Sequence, residues 1–519
     1  MSNNNQNCGV CGTVCTASQQ CISGKCQSCP GCPLLFHELS TSPSTASRVI
    51  SDSKGHLYLM GQFDKTSTFN AKTITPADSG KDIFLIKMDA QHNPLWIKTF
   101  GSPSSDEPGY ITIDATDQVY ISFYYSADIL KGMTLTHQTG DISVALVKLD
   151  STTGNVIWAK SFRQTGASMT MAISGMVYDK TAKQIFIAGG FQNGTLSSQN
   201  HTQSASDPTG FVLAYDEQGA DKSLQLIKAS GTTPSATIHA IETDGSGNVY
   251  LAGGFTGTLT FKNTITGQGI QDAYIAQYDT TQSQWVWEQV LTEPSENTHI
   301  QSIRWHNKSL YVTGGFGRKL TIGTNTISSS FGALFIAKID DRGTTWAWSQ
   351  QYGGTSLDFP GPITIDTQGD VYTAGYTDSA DFTIGTYTIG TNYSGLIGFL
   401  AKYNGSTGSY VTHTYFDSSV SHSDIPTSLW FANDMLHMTS TGNMGVGFGT
   451  QLTSSTGSDT KSFFIPGGTI GYLVSFPVLC NGTDVVCGGQ CVDIQNDTNH
   501  CGACNNQCTT TCMSGTCVP

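Results

Sequence analysis

Charge is scarce in this 519-residue chain, where Asp, Glu, Lys and Arg together make up only 12%. An ordinary soluble domain carries roughly twice that share, so the surface here must be built from Ser, Thr, Asn, Gln and Gly. Basic residues are scarcest: 25 Lys and Arg face 39 Asp and Glu, for a formal charge of −14. A chain without a positive field cannot grip a phosphate backbone, which excludes nucleic acid as a partner. No apolar run approaches the roughly 20 residues that span a bilayer, so membrane insertion is not expected. The opening MSNNNQNCGV has neither a basic n-region nor an apolar h-region, so no Sec-type signal peptide is read there. There is little helical periodicity, and no His-Glu-x-x-His, Gly-x-Ser-x-Gly or P-loop pattern. Disorder is excluded as well, because 10% aromatic residues supply a sizeable core.

Cysteine is absent from a long middle stretch and crowded at both ends. Seven lie at Cys8, Cys11, Cys15, Cys21, Cys26, Cys29 and Cys32, and eight at Cys480, Cys487, Cys491, Cys501, Cys504, Cys508, Cys512 and Cys517. The ends look like duplicates. NCGVCGTVCTASQQCISGKC from Asn7 and HCGACNNQCTTTCMSGTC from His500 share C-x2-C-x3-C and close on Cys-x-Ser-Gly-x-Cys. Segments this short and polar cannot fold on buried area alone and need staples. Disulfides are the plainer staple. Zinc is the rival, since Cys8-x2-Cys11 and Cys29-x2-Cys32 have a four-thiolate spacing. Against zinc, the second module has only one C-x2-C pair, and the shared frame holds more thiols than one tetrahedral ion uses. Fifteen is odd, which leaves at least one thiol free or bonded to another chain.

The run CGGQCVDIQNDTNHCGACNNQC from Cys487 resembles the Cys-rich stigma-specific-protein-like family. The resemblance covers about forty residues at the C-terminus and, partially, the first thirty. It implies an extracytoplasmic disulfide-bonded module and no catalyst.

The body is a repeat. An apolar–Tyr step recurs at Leu57-Tyr58, Val119-Tyr120, Ile185-Phe186, Val249-Tyr250, Leu310-Tyr311, Val371-Tyr372 and Leu436-His437, every 61 to 66 residues. Each of these seven units has one internal order. A half-buried alternation comes first, such as Ile111-Thr-Ile113. An Asp-Gly turn follows (DSKG from Asp52, DATD from Asp114, DGSG from Asp244, DTQG from Asp366), then the Tyr strand ending in Gly-x-Phe. A third strand such as DIFLIKMD from Asp82 precedes a fourth that carries Trp96, Trp158, Trp285, Trp287, Trp346 or Trp348. Six of the eight Trp occupy that slot, which marks a recurring packing position.

Four antiparallel strands per unit predict an all-β chain: a seven-bladed β-propeller over residues 33–476, between Cys-rich modules at 1–32 and 477–519. A solenoid is the other array, but a ring explains one more detail. Unit seven has no fourth strand of its own before Pro477, while PLLFHEL from Pro33 aligns with PLWIKTF from Pro94. The N-terminal segment is therefore expected to complete the last blade beside Tyr472, removing both edges and bringing Cys32 near Cys480. The pattern Asp-x-x-Gly-x-Val-Tyr, then Asp-x-Phe-x-x-Lys-x-Asp, then Trp, resembles the bacterial seven-bladed β-propeller repeat family. That resemblance implies extracellular or surface placement and no activity.

Site candidates are few. Asp52, Asp114, Asp244 and Asp366 are read as turn caps in preference to calcium ligands, since no turn has the dense oxygen alternation of a calcium loop. Asp89, Asp150, Asp216, Asp279 and Asp340 close the third strands and are read the same way. Lys87, Lys148 and Lys338 are expected to snorkel over the blades. His299 and His306 are expected to be structural. Thr-rich connections between the second and third strands, such as TSTFNAKTITPADSG, should crowd one face and suit glycan or protein contact. Sequons stand at Asn193, Asn200, Asn307, Asn392, Asn404, Asn481 and Asn496. No catalytic, cofactor or metal residue is assigned. The leading function is a non-enzymatic surface, virion or appendage protein, structural or adhesive, that self-associates or joins other surface proteins through its Cys modules. A lectin-like binding propeller is the alternative, and a glycosidase or lyase with two carboxylates about 5–10 Å apart is a third.

Overall fold

The computed structural model describes residues 19–22, 25–28, 35–38, 44–69, 72–77, 80–90, 92–129, 133–390, 396–418, 425–433, 435–442, 448–449 and 470–477. In the C-terminal region it describes 485–487, 490–492, 496–499, 501, 507–508, 511–513 and 516–518. The fold is an all-β propeller without helices among these residues. Each repeat makes an antiparallel set of four strands. In the second these are Glu107–Ile113, Val119–Tyr125, Ile142–Leu149 and Val156–Thr165.

Side chains on successive strand residues point to opposite faces, and here both faces are covered by neighbouring blades. Tyr58 and Met60 enter a cluster with Ile121, Phe123 and Val147 of the second repeat. Their chain neighbours Leu57 and Leu59 pack the other way, with Phe84, Ile86 and Leu473. The core therefore lies between blades, which is why the second and third strands read as nearly continuous apolar runs.

The sequence predicts seven separate blades; the structure has six sheets of four or more strands. The seventh and first repeats are not separated. Ser44 pairs in parallel with Ile470, which joins them into one eight-stranded sheet. That sheet also contains the expected closing strand. Leu35–Glu38 pairs antiparallel with Ile470–Pro477, with Leu35 opposite Ser475, Phe36 opposite Val474 and Glu38 opposite Tyr472.

The glycine of the second strand has a steric cause. Every inner strand shifts register by a β-bulge near its start, at Ala46/Arg48, Pro108/Ile111, Ile173/Gly175, Ile238/Ala240, Ile300/Ser302, Pro360/Ile363 and Pro426/Ser428. A Cβ on Gly314 would lie 2.1 Å from the carbonyl oxygen of His299, and one on Gly253 would lie 1.9 Å from that of Thr237. At these positions only glycine fits beside the bulged backbone, whereas opposite Pro108 and Pro426 the same place holds Phe123 and Ser440.

Of the candidate disulfide residues, Cys501 pairs with Cys512 and Cys508 with Cys517. Three of these sulfurs lie within 4.8 Å of one another, but as disulfides they offer no thiolate to zinc. Cys21 and Cys26 face each other across a short hairpin register, and Cys487 and Cys491 lie in another. Cys8, Cys11, Cys15, Cys29, Cys32, Cys480 and Cys504 lie outside the described residues, as do Asn392 and Asn481.

Candidate functional site: the central channel

The recurring Asp, Tyr, Lys and Trp come together as latches between blades. Asp52 caps its turn through the N–H groups of Lys54 (3.0 Å) and His56 (2.9 Å). Its second oxygen takes the Tyr58 hydroxyl (3.3 Å) and the Lys87 ammonium (3.0 Å). Lys87 and the Trp96 indole both donate to the carbonyl of Ser151 in the next repeat, at 2.9 and 3.2 Å. The second repeat copies this: Lys148 lies 3.2 Å from Asp114, and Lys148 and Trp158 donate to the Glu217 backbone carbonyl at 3.3 and 3.0 Å. In the sixth repeat Lys402 lies 3.3 Å from Asp366 and 3.0 Å from Asp370. In the fifth, Lys338 and Trp348 share the Gly405 carbonyl, at 3.0 and 3.2 Å.

This corrects the expectation for the lysines. Lys87 and Lys148 do not snorkel over a surface; they are buried in ion pairs, because the next blade covers them. The aspartates are turn caps, as expected. Burial alone would raise Asp52, but hydrogen bonds from His56 and Lys87 outweigh it and hold the carboxyl below its usual range. Asp244 caps Ser246 (2.7 Å), while Asp89, Asp150, Asp216 and Asp279 cap Asn93, Thr153, Ala220 and Thr281. Asp340 is burdened by burial yet brought down to about 2 by hydrogen bonds from Thr344, Thr345 and Arg342.

The latch is incomplete in places. Phe186 and Ala214 stand at the Tyr and Lys positions of the third repeat, and Gln277 at the Lys position of the fourth. In the seventh repeat the register positions hold His437, Ser475 and Leu35. There His437 meets His92 of the first repeat edge-on, with ring centroids 5.6 Å apart. Burial pushes His437 down to about 4.

The inner strands of all the repeats surround a cavity of about 820 Å³. Bulged residues ring one half of it, and several of them join one blade to the next. Ser174 donates its hydroxyl to the Ile238 carbonyl. His239 Nδ1 lies 2.8 Å from the Ile300 carbonyl, and Thr427 donates to Ala46 at 3.1 Å. Each acceptor is the residue just before the neighbouring strand's own bulge. His299 is part of this half: its ring meets His239 edge-on at 6.2 Å. Burial, with a smaller push from His239, takes His299 down to about 4, so both imidazoles are neutral at pH 7. His306, at the other end of the same strand, is likewise lowered by burial.

The other half of the cavity is crossed by one side chain. Arg304 pairs with Glu242 (3.1 Å) on one side and lies over the Trp430 ring (4.4 Å) on the other. Trp430 donates in turn to Ser51 at 3.0 Å. Sequence reasoning missed the ring and this bar. Arg48, Tyr110, His239, Arg304 and Trp430 carry no repeating signature, because each sits at an inner-strand position that varies from repeat to repeat.

Two families match parts of the chain. The Beta-propeller repeat family matches residues 347–383, and the Stigma-specific STIG1-like protein family matches residues 476–518. The chain is also 21% identical over 258 residues to an uncharacterized WD repeat-containing protein of Acanthamoeba polyphaga mimivirus. That alignment covers 41% of this chain and 18% of the viral protein, so the chain matches less than a fifth of its relative. Among solved structures it is similar to the phage phi92 endosialidase, with 9% identity, TM-score 0.36, and 88% of this chain and 70% of that one covered. It is similar also to the polysaccharide lyase Uly1, with 10% identity, TM-score 0.39, and coverage of 84% and 90%. The quinohemoprotein alcohol dehydrogenase from Comamonas testosteroni aligns at 10% identity and TM-score 0.37, covering 92% and 83%. Likeness at this level speaks to neither substrate nor activity.

Proposed function

We propose that this chain is a non-enzymatic surface, virion or appendage protein, a rigid propeller that assembles or adheres through disulfide-rich ends. The pairing of Leu35 with Ser475 carries the reading. The chain enters the propeller at the start of one strand and leaves it at the end of the adjacent one, so both Cys-rich segments depart from a single edge. Two modules issuing from one place make a bivalent attachment point, and an odd number of thiols leaves one for a neighbour. The disulfides Cys501–Cys512 and Cys508–Cys517 fit an oxidising compartment or an extracellular particle. A viral relative fits a particle component. The non-enzymatic part rests on how the channel acids are used: Glu242 is tied to Arg304, and Asp52 and Asp114 to lysines.

The test is the mass of the natively isolated protein with and without reductant. Covalent multimers that collapse to a 55.3 kDa chain on reduction support the proposal. A chain that is monomeric and unlinked in the absence of reductant overturns it.

A further inference from the structure

Among the described lining residues, the half of the channel bounded by the bulges holds a single formal charge. The lining acids Asp52, Asp114, Asp117 and Glu242 lie toward the turn end, and each has a partner there. Arg48 stands alone at the bulge. Its Nη1 donates to two carbonyls, Ser47 (2.8 Å) and Thr427 (3.3 Å), and its guanidinium lies 4.1 Å over the Tyr110 ring. Among the described residues no carboxylate lies within 4 Å of it. A cation on an aromatic plate, whose Nε and Nη2 meet no acceptor among the described residues, is poised for a planar oxyanion. That it does so in a chain of net charge −14 makes it a local exception to the protein's own field.

The walls name the rest of the ligand. Gln301 is exposed to the channel, and Ser174 and Thr427 contribute hydroxyl oxygens. Phe359 and Tyr376 stack at 4.5 Å and leave Phe359 37% exposed. Amide, hydroxyls and an aromatic plate around one guanidinium suit a polyhydroxylated ring carrying one carboxylate. A dianion such as phosphate would need a second cation, and His239 and His299 are held neutral. The channel as a whole, of which this half is a part, has about 820 Å³, within the range of roughly 300–1,000 Å³ typical of small-ligand sites. We propose that this half of the channel binds a uronic acid residue, its carboxylate on Arg48 and its ring against the aromatic wall. The site goes beyond the assembly role and does not depend on it, since assembly is read from covalent mass and this from binding.

The experiment is calorimetric titration of the full chain with trigalacturonic acid, with its methyl ester, and with acetate and sulfate. Saturable binding of the acid is expected, weakened about 10-fold or more by esterification and by Arg48→Gln, the worth of a charge-assisted hydrogen bond. Should Arg48→Gln not fold, Arg48→Lys keeps the charge and loses the fork, and the same weakening is expected of it. No saturable binding by the native chain overturns the proposal. So does an ester that binds as well as the acid, a folded Arg48 variant of unchanged affinity, or acetate or sulfate binding as tightly as the uronide.

Discussion

His239 Nδ1 sits 2.8 Å from the carbonyl oxygen of Ile300, the residue just before the bulge in the neighbouring inner strand. Ser174 stands in the same relation to Ile238, and Thr427 to Ala46. A bulge that would weaken a sheet alone becomes, around a ring, the place where one blade ties to the next.

The tie is open to deletion. His239→Leu and Thr427→Val each remove a donor to a neighbouring carbonyl and should each cost about 1–2 kcal/mol. Urea unfolding of each variant against the parent measures this. The two sites are far apart in the ring, so the losses should add in the double variant.

The latches should matter more. Lys148→Met leaves Asp114, whose side chain is 1% exposed, as a buried carboxylate without its cation. A loss of about 3–5 kcal/mol is expected. Asp114→Asn in the same chain should recover a good part of it, because the neutral amide no longer needs the ammonium. A double variant no more stable than Lys148→Met would show that packing, and not charge, sets the cost.

Acid should weaken the fold before most carboxylates titrate. His299 and His437 are both held at about 4 by burial, against about 6.5 unfolded. The unfolded chain therefore takes up protons first, and stability is lost as pH falls from about 6.5 toward about 4. Asp106 works the other way: burial raises it to about 6, so its contribution improves on acidification. Thermal melts between pH 7 and pH 4.5 should show a net decline. His437→Tyr, which restores the residue of most other repeats, should make that decline shallower.

Glycine at the second strand has a sharp control nearby. Gly314→Ala forces a methyl to 2.1 Å from a backbone carbonyl, whereas a Cβ on Gly190 meets nothing nearer than 3.7 Å. The first should lower stability by several kcal/mol, about the level of severe core overpacking, and the second by less than about 1 kcal/mol. Equal melting temperatures for the two would remove the steric account of the Gly-x-Phe ending.

Removing residues 1–38 deletes the strand that pairs with Ile470–Pro477. The freed edge presents unpaired N–H and C=O groups, and the truncated chain should aggregate or melt well below the parent. Light scattering during the melt is the measurement. A monomeric truncation with an unchanged transition would mean that the strand is dispensable.

Local and periodic features could be read from residues alone. The Asp-Gly turns, the apolar–Tyr step and the Trp slot repeat because each blade solves the same packing problem, so Asp52, Tyr58 and Trp96 have counterparts every 61 to 66 residues. Even the closing strand was legible, since PLLFHEL from Pro33 places Leu35 where PLWIKTF from Pro94 places Trp96, and the structure pairs Leu35 at that register position. What recurs in sequence cannot report what differs between neighbours. The merging of the first and seventh repeats depends on Ser44 meeting Ile470, a contact made only when the ring closes. Burial of Lys87 and Lys148 depends on the next blade's carbonyl lying over them, and Arg48 gains its isolation only because the other channel charges are drawn to the turn end. Period and propensity act over a few residues; the channel's field and the seams between blades are sums over strands hundreds of residues apart, and those sums exist only in the assembled ring.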